Sequence, residues 1–127
     1  MPRRRAYSTA VLMMLLLSSA GCTEPEINRI KDPVGKAAYH CRHVLERELA
    51  KPDELTPAGV LRQRIADFQP PRVERAGDQV RFVWDHGSIK RSDSPESHGG
   101  DCSMLVSRQY VIQATLDGRS LHAGFSF

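Results

Sequence analysis

The sequence has no apolar run long enough to cross a bilayer. The longest, residues 10–17 (AVLMMLLL), spans eight residues, whereas a hydrocarbon core needs roughly 20 in a helix. Also missing are a Gly-x-Ser-x-Gly nucleophile elbow, a glycine-rich phosphate cradle, an internal repeat and a low-complexity tract. A basic surplus is lacking too. Three of the 18 Lys and Arg residues are Arg3, Arg4 and Arg5, and all 15 Asp and Glu residues lie beyond Cys22. From Cys22 onward, 15 basic residues therefore face 15 acidic ones and the net charge is zero. A nucleic-acid partner calls for a basic excess to displace counterions, and adhesion to anionic lipid calls for a polybasic stretch. Neither is present, so no nucleic-acid partner is expected. The cysteines number three, an odd count that leaves one over once two are paired.

What is present begins with an address. Arg3, Arg4 and Arg5 precede the apolar run, and Ser18, Ser19, Ala20 and Gly21 follow it. Charge, apolar run and small residues, in that order, form the secretory signal pattern. The stretch Leu17-Ser18-Ser19-Ala20-Gly21-Cys22 resembles the lipobox of bacterial prolipoproteins. The resemblance covers only these first 22 residues. It implies that Cys22 is acylated and becomes the mature N-terminus. Thr23 stands after the cysteine where aspartate would retain the protein at the inner membrane, so the resemblance implies an outer-membrane location facing the periplasm. Ser19 occupies a position that is usually leucine in such signals. The rival is ordinary cleavage after Ala20, which leaves Cys22 as a free thiol. Acylation uses up Cys22 and leaves Cys41 and Cys102 as an even pair for an oxidising compartment. Residues 23–32 would form a short tether, roughly 33–36 Å fully extended and roughly 17–19 Å as a flexible coil.

Beyond the tether, Asp32-Pro33 supplies an N-cap and a proline at the first helical position. Val34, Ala37, Ala38, Cys41, Val44, Leu45 and Leu49 then recur on one helical face, until Lys51-Pro52 stops it. Glu48 falls on the same face near its end. Thr56-Pro57 repeats the start signal, and Val60, Leu61, Ile65 and Phe68 predict a short second helix closed by Pro70-Pro71. The period then becomes alternating. Residues 72–76 and 79–85 read as strands joined by Gly77-Asp78, and residues 86–101 as a long polar loop. Cys102, Met104 and Val106 alternate, followed by Tyr110, Ile112, Ala114 and Leu116. Asp117-Gly118 is a hairpin signal, and Leu121, Ala123, Phe125 and Phe127 close the last strand.

The expected fold is α+β: one or two N-terminal helices packed on an antiparallel sheet of about four strands, tied by one disulfide between Cys41 and Cys102. The expected organisation is a signal peptide (1–21), a lipid-anchored tether (22–32) and a single domain (33–127). This order of elements, with one cysteine in the helix and one in a late strand, is similar to that of many small exported bacterial proteins of unknown function.

Candidate chemistry concentrates in residues 85–101, which gather Asp85, His86, Asp93, Glu96, His98 and Asp101. Imidazoles and carboxylates suit zinc or a similar ion, but their spacing matches no metal motif, and a solvated loop whose polar residues need no partner is the default reading. Ser88 and Ser92 lie near the two histidines, again without a motif. His40 and His43, three residues apart on the first helix, read as an idle surface pair. Trp84, Tyr110, Phe125 and Phe127 read as the buried face of the sheet. Asp85, His86, His98 and Asp101 are the binding candidates. No catalytic residue, metal ligand or cofactor is expected. The function expected is a non-catalytic binding or accessory module of the cell envelope: an inhibitor, an immunity protein or a subunit of an envelope complex. Its partner would be an envelope protein or a glycan, with the membrane reached through Cys22. The alternative is a metal-binding or hydrolytic periplasmic domain using residues 85–101.

Overall fold

The computed structural model describes residues 26–127; the signal-like segment and Cys22 lie outside the described residues. The chain divides into two units, Met1–Lys31 and Asp32–Phe127. The described part of the first holds one helical turn, Glu26–Arg29. No described helix is long and apolar enough to cross a membrane.

In the second unit, helix α1 (Pro33–Leu49) begins at the cap that its sequence specifies. The Asp32 carboxylate accepts from the Val34 and Gly35 amides at 3.4 and 3.2 Å. Seven strands follow: β1 (Ala66–Phe68), β2 (Arg72–Ala76), β3 (Gln79–Arg91), β4 (Ser97–Leu105), β5 (Tyr110–Leu116), β6 (Arg119–Ser120) and β7 (Phe125–Ser126). They form one antiparallel sheet in the order β1-β3-β4-β5-β6, with β2 also paired to β3 and β7 to β5. Helix α1 packs across β3, β4 and β5 and reaches β1. Ala37, Cys41, Val44 and Leu45 meet Val80, Phe82, Trp84, Ile89, Met104, Val111, Ala114 and Leu116 in the core. At its centre Cys41 and Cys102 are bonded, Cα atoms 5.7 Å apart and both side chains fully buried. The bridge ties α1 to β4, the middle strand.

Three expectations are corrected. The second helix does not form. After a 3₁₀ turn at Pro52–Glu54, residues 56–60 close into a tight turn in which the Thr56 amide donates to the Val60 carbonyl at 2.8 Å. Gly59 takes φ +78° there, outside the helical region, and residues 66–68 pair with β3 as a strand. The long loop does not form either. Residues 86–91 continue β3, residues 97–101 begin β4, and only a short turn joins them. The sheet thus gains length and strands beyond the four expected.

Two bulges explain why alternation failed to show this. Between Trp84 and Ile89, β3 carries extra residues opposite β4, so the inward phase is lost and recovered at fully buried Ile89. The bulge passes so close to β4 that a Cβ on Gly99 would sit 2.8 Å from the His86 amide nitrogen. A Cβ on Gly100 would sit 2.5 Å from the Thr115 carbonyl oxygen. These glycines are where two backbones touch. In β5, the register step between Ser103–Gln113 and Met104–Val111 inserts Ile112 as an extra residue. Val111 therefore points into the core, and Ile112, expected there, is 38 % exposed.

Candidate functional site

Strand alternation divides the sheet into two faces. Phe82, Cys102 and Ala114 point toward α1, and their neighbours Arg81, Val83, Asp101, Ser103 and Thr115 point away. Arg81 organises this open face. Its guanidinium donates to Asp101 at 2.5 and 3.2 Å and to Glu74 at 3.0 Å. These two carboxylates, Asp101 foremost, raise its pKa above the ordinary arginine value. The Thr115 hydroxyl donates to the other Asp101 oxygen at 2.5 Å, so both Asp101 oxygens are held in place. Asp85 pairs with Arg72 at 3.0 Å, both side chains largely exposed, a geometry that contributes little to stability.

The two candidate histidines converge on a residue that sequence reasoning passed over. His98 Nδ1 lies 2.6 Å from Asp117 Oδ2, and the Gly99 amide donates to Asp117 Oδ1 at 3.1 Å. Partial burial pushes the Asp117 carboxyl up. The hydrogen bonds from His98 and Gly99, with the charges of His98 and His86, outweigh that and hold it below its ordinary value. In the sequence Asp117 is half of a turn signal, and Asp117 and Gly118 do both adopt positive φ, 51° and 78°. Its second role comes from the register, which sets Gly100 opposite Leu116 and so brings the Asp117 side chain back onto β4. No local signal carries that information.

Beside the β3 bulge lies an open trough of about 290 Å³, bounded by His86, Gly99, Asp101, Thr115, Asp117 and Gly118. A wider hollow of about 710 Å³ adjoins it, lined by His86, Pro95, Glu96, Ser97, His98 and Asp117. His86 and Asp117 border both. Of the four binding candidates, His86, His98 and Asp101 thus face one connected depression, and Asp85 stands apart. Glu96 reaches the hollow, whereas Asp93 is tied to Arg91, at 2.9 and 3.0 Å, which also clasps Glu54. Hydrogen bonds from Arg91 hold the Asp93 pKa down at about 2 against the opposing effect of burial. Among the described residues no serine hydroxyl bonds an imidazole, and no three His, Cys, Asp or Glu side chains are grouped to hold a metal ion.

Two further side chains depart from expectation. Glu46, not Glu48, is the carboxyl on the covered side of α1: it is 2 % exposed and its Oε2 accepts from the Ile65 and Ala66 amides, each at 3.0 Å. The segment entering β1 crosses that flank of the helix, while Glu48 reaches outward to Arg119 at 3.7 Å. Phe127, expected in the core, is 51 % exposed. Its ring stacks on His40 with centroids 4.1 Å apart and planes 9° from parallel, so His40 is not an idle surface group. No family model matches the chain, and neither a curated protein nor a solved structure matches it.

Proposed function

We propose that this chain is a cell-envelope lipoprotein, anchored through Cys22 at the outer membrane facing the periplasm, whose domain binds an envelope protein or a glycan without catalysis. The observation that carries the binding part is the depression at His86, Asp101, Thr115 and Asp117 on the open face of the sheet. Its carboxylates and hydroxyl are held by Arg81, His98 and each other, so a partner meets donors and acceptors already fixed in place. Fixed groups lose little conformational entropy on association. An inhibitor, an immunity protein or an accessory subunit of an envelope complex would use such a surface.

Deletion of residues 86–101 would remove half of β3 and half of β4 and destroy the sheet. A point change is the better probe. His86 is exposed at the junction of trough and hollow. Cross-linked capture from whole envelopes with the wild type should recover one dominant protein or glycan. His86→Glu should reduce that recovery at least about tenfold at unchanged thermal stability. Recovery unaffected by His86→Glu removes the depression from the account, and no recovery above background by the wild type contradicts the binding role.

One observation favours a second reading, a hydrolytic domain. A carboxylate on Nδ1 fixes the tautomer of His98 and leaves Nε2 as the acceptor, the arrangement of a general base. Hydrolysis of an ester or glycoside panel by the purified domain, abolished by His98→Ala, would replace the binding reading with this one.

A further inference from the structure

We propose a second binding site, on the opposite side of the domain, for a small amphiphilic carboxylate: one carboxylate on an apolar or aromatic body. The site is the groove between α1 and the turn at residues 56–61, about 270 Å³ in volume and lined by Tyr39, His40, Arg47, Val60, Leu61 and Phe127. At the ~30 Å³ that a water molecule occupies in the liquid, this volume admits a ligand of about ten non-hydrogen atoms.

Three observations define the ligand. First, the walls are ring and aliphatic surface left open: Phe127 is 51 % and Val60 57 % exposed. Elsewhere apolar side chains of this size are mostly covered, and the Phe127 ring is held in position by its stack on His40 and by the Phe127 amide donating to the Gln109 carbonyl at 3.1 Å. Exposed apolar surface that is rigidly presented suits an apolar body. Second, the ionisable side chains that line the groove, besides Tyr39, are His40, His43 and Arg47, with no acid among them. The two acids of α1 are engaged elsewhere, Glu46 with the Ile65 and Ala66 amides and Glu48 with Arg119. The groove thus has a local basic rim. Burial lowers the His40 pKa, and the nearby His43 and Lys36 lower it further. Third, the Arg47 guanidinium lies over the turn, within 3.3 Å of where a Cβ on Gly59 would stand. Among the described residues no carboxylate pairs with it. A planar fork at the rim of an apolar groove fits a carboxylate head.

The concave shape and the ring walls favour a discrete ligand over a lipid surface, which would call for protruding side chains. The site is independent of the trough, so failure of either proposal leaves the other standing.

Octanoate and 3-phenylpropanoate are suitable probes, titrated into the isotopically labelled protein by NMR and into unlabelled protein by calorimetry. Saturable one-to-one binding with Kd of about 0.1–1 mM is expected for so small a ligand. The corresponding alcohols and amines should bind at least about tenfold more weakly. Arg47→Gln, at an exposed position, should raise Kd at least about fivefold, whereas Arg75→Gln on β2 should leave it unchanged. The bound negative charge should also raise the His40 titration midpoint, a shift that Arg47→Gln reduces. Equal affinity for carboxylate and alcohol, an unmoved His40 midpoint at saturation, or no binding at 10 times the expected Kd overturns the proposal. So does binding confined to phosphatidylglycerol vesicles, which would make the face a membrane contact.

Discussion

Glu46 offers the sharpest test of how this fold is held. A carboxyl group buried beside the core is costly unless its acceptors are used, and here one oxygen takes two backbone N–H groups, those of Ile65 and Ala66, each at 3.0 Å. No other described group satisfies these amides at the point where the chain enters β1. Glu46→Ala would leave both donors unpaired. Each unpaired buried donor costs about 1–3 kcal/mol, and a water entering the vacated space would recover part of the loss, which puts the net effect at about 3 kcal/mol. Against a total stability of about 5–15 kcal/mol for such a domain, that is a large fraction. With a urea m-value of about 1.5 kcal/mol/M, the unfolding midpoint should fall by about 2 M at unchanged m. Glu46→Gln is the control, because its side-chain oxygen can still accept both bonds. It should cost less than half as much. An alanine variant within about 0.5 M of the wild type would refute the role assigned to Glu46. A glutamine variant as damaged as alanine would show that something other than acceptance of these two bonds is at stake.

Reduction of the Cys41–Cys102 bridge releases a sequence separation of 61 residues, for which the chain-entropy model gives about 4 kcal/mol. Thermal unfolding with reductant, or with both cysteines changed to serine, should show Tm lower by roughly 15–30 °C; a drop under about 5 °C would contradict the bridge's role between helix and sheet. The folded-state pKa of Asp93 lies at about 2, below the ordinary aspartate value of 3.8, so its pairing with Arg91 favours the folded state above about pH 4. That contribution is lost as pH falls through 2. Urea midpoints measured from pH 5 to pH 2 should fall more gently for Asp93→Asn than for the wild type, and parallel curves would refute the assignment.

The legible parts of the sequence were those written locally. Asp32 and Pro33 cap and start α1 because both act within one turn of themselves, and Asp117-Gly118 favours the positive φ of a tight hairpin turn through its own two residues. Cys41 was identifiable at the centre of an apolar stripe whose period survives the whole helix. What failed was non-local. The polar stretch from His86 to Asp101 forms strand because its backbone is paired across the sheet, and its side chains, broken in phase by a bulge, give no alternation. Ile112 was assigned to the core on a period that an inserted residue interrupts two positions away from Ala114. The Thr56-Pro57 signal matched a helix start, yet Gly59 and the pairing of residues 66–68 with β3 decided otherwise. The depression at His86 depends on Asp117 and Thr115, which reach it only through the β4–β5 register. Glu46 and Glu48 were both on the helix, and only the path of the segment entering β1 distinguishes the covered carboxyl from the exposed one.

An anchor on Cys22, if it forms as proposed, would hold the domain near a membrane, and one measurement addresses it: the intact mass of the protein extracted from envelope membranes with detergent. Acylation predicts a mature chain beginning at Cys22 and carrying the added mass of its acyl groups, converted by Cys22→Ala to a species lost from the membrane fraction. A soluble protein cleaved after Ala20, with an unmodified thiol at Cys22, would contradict the lipoprotein reading.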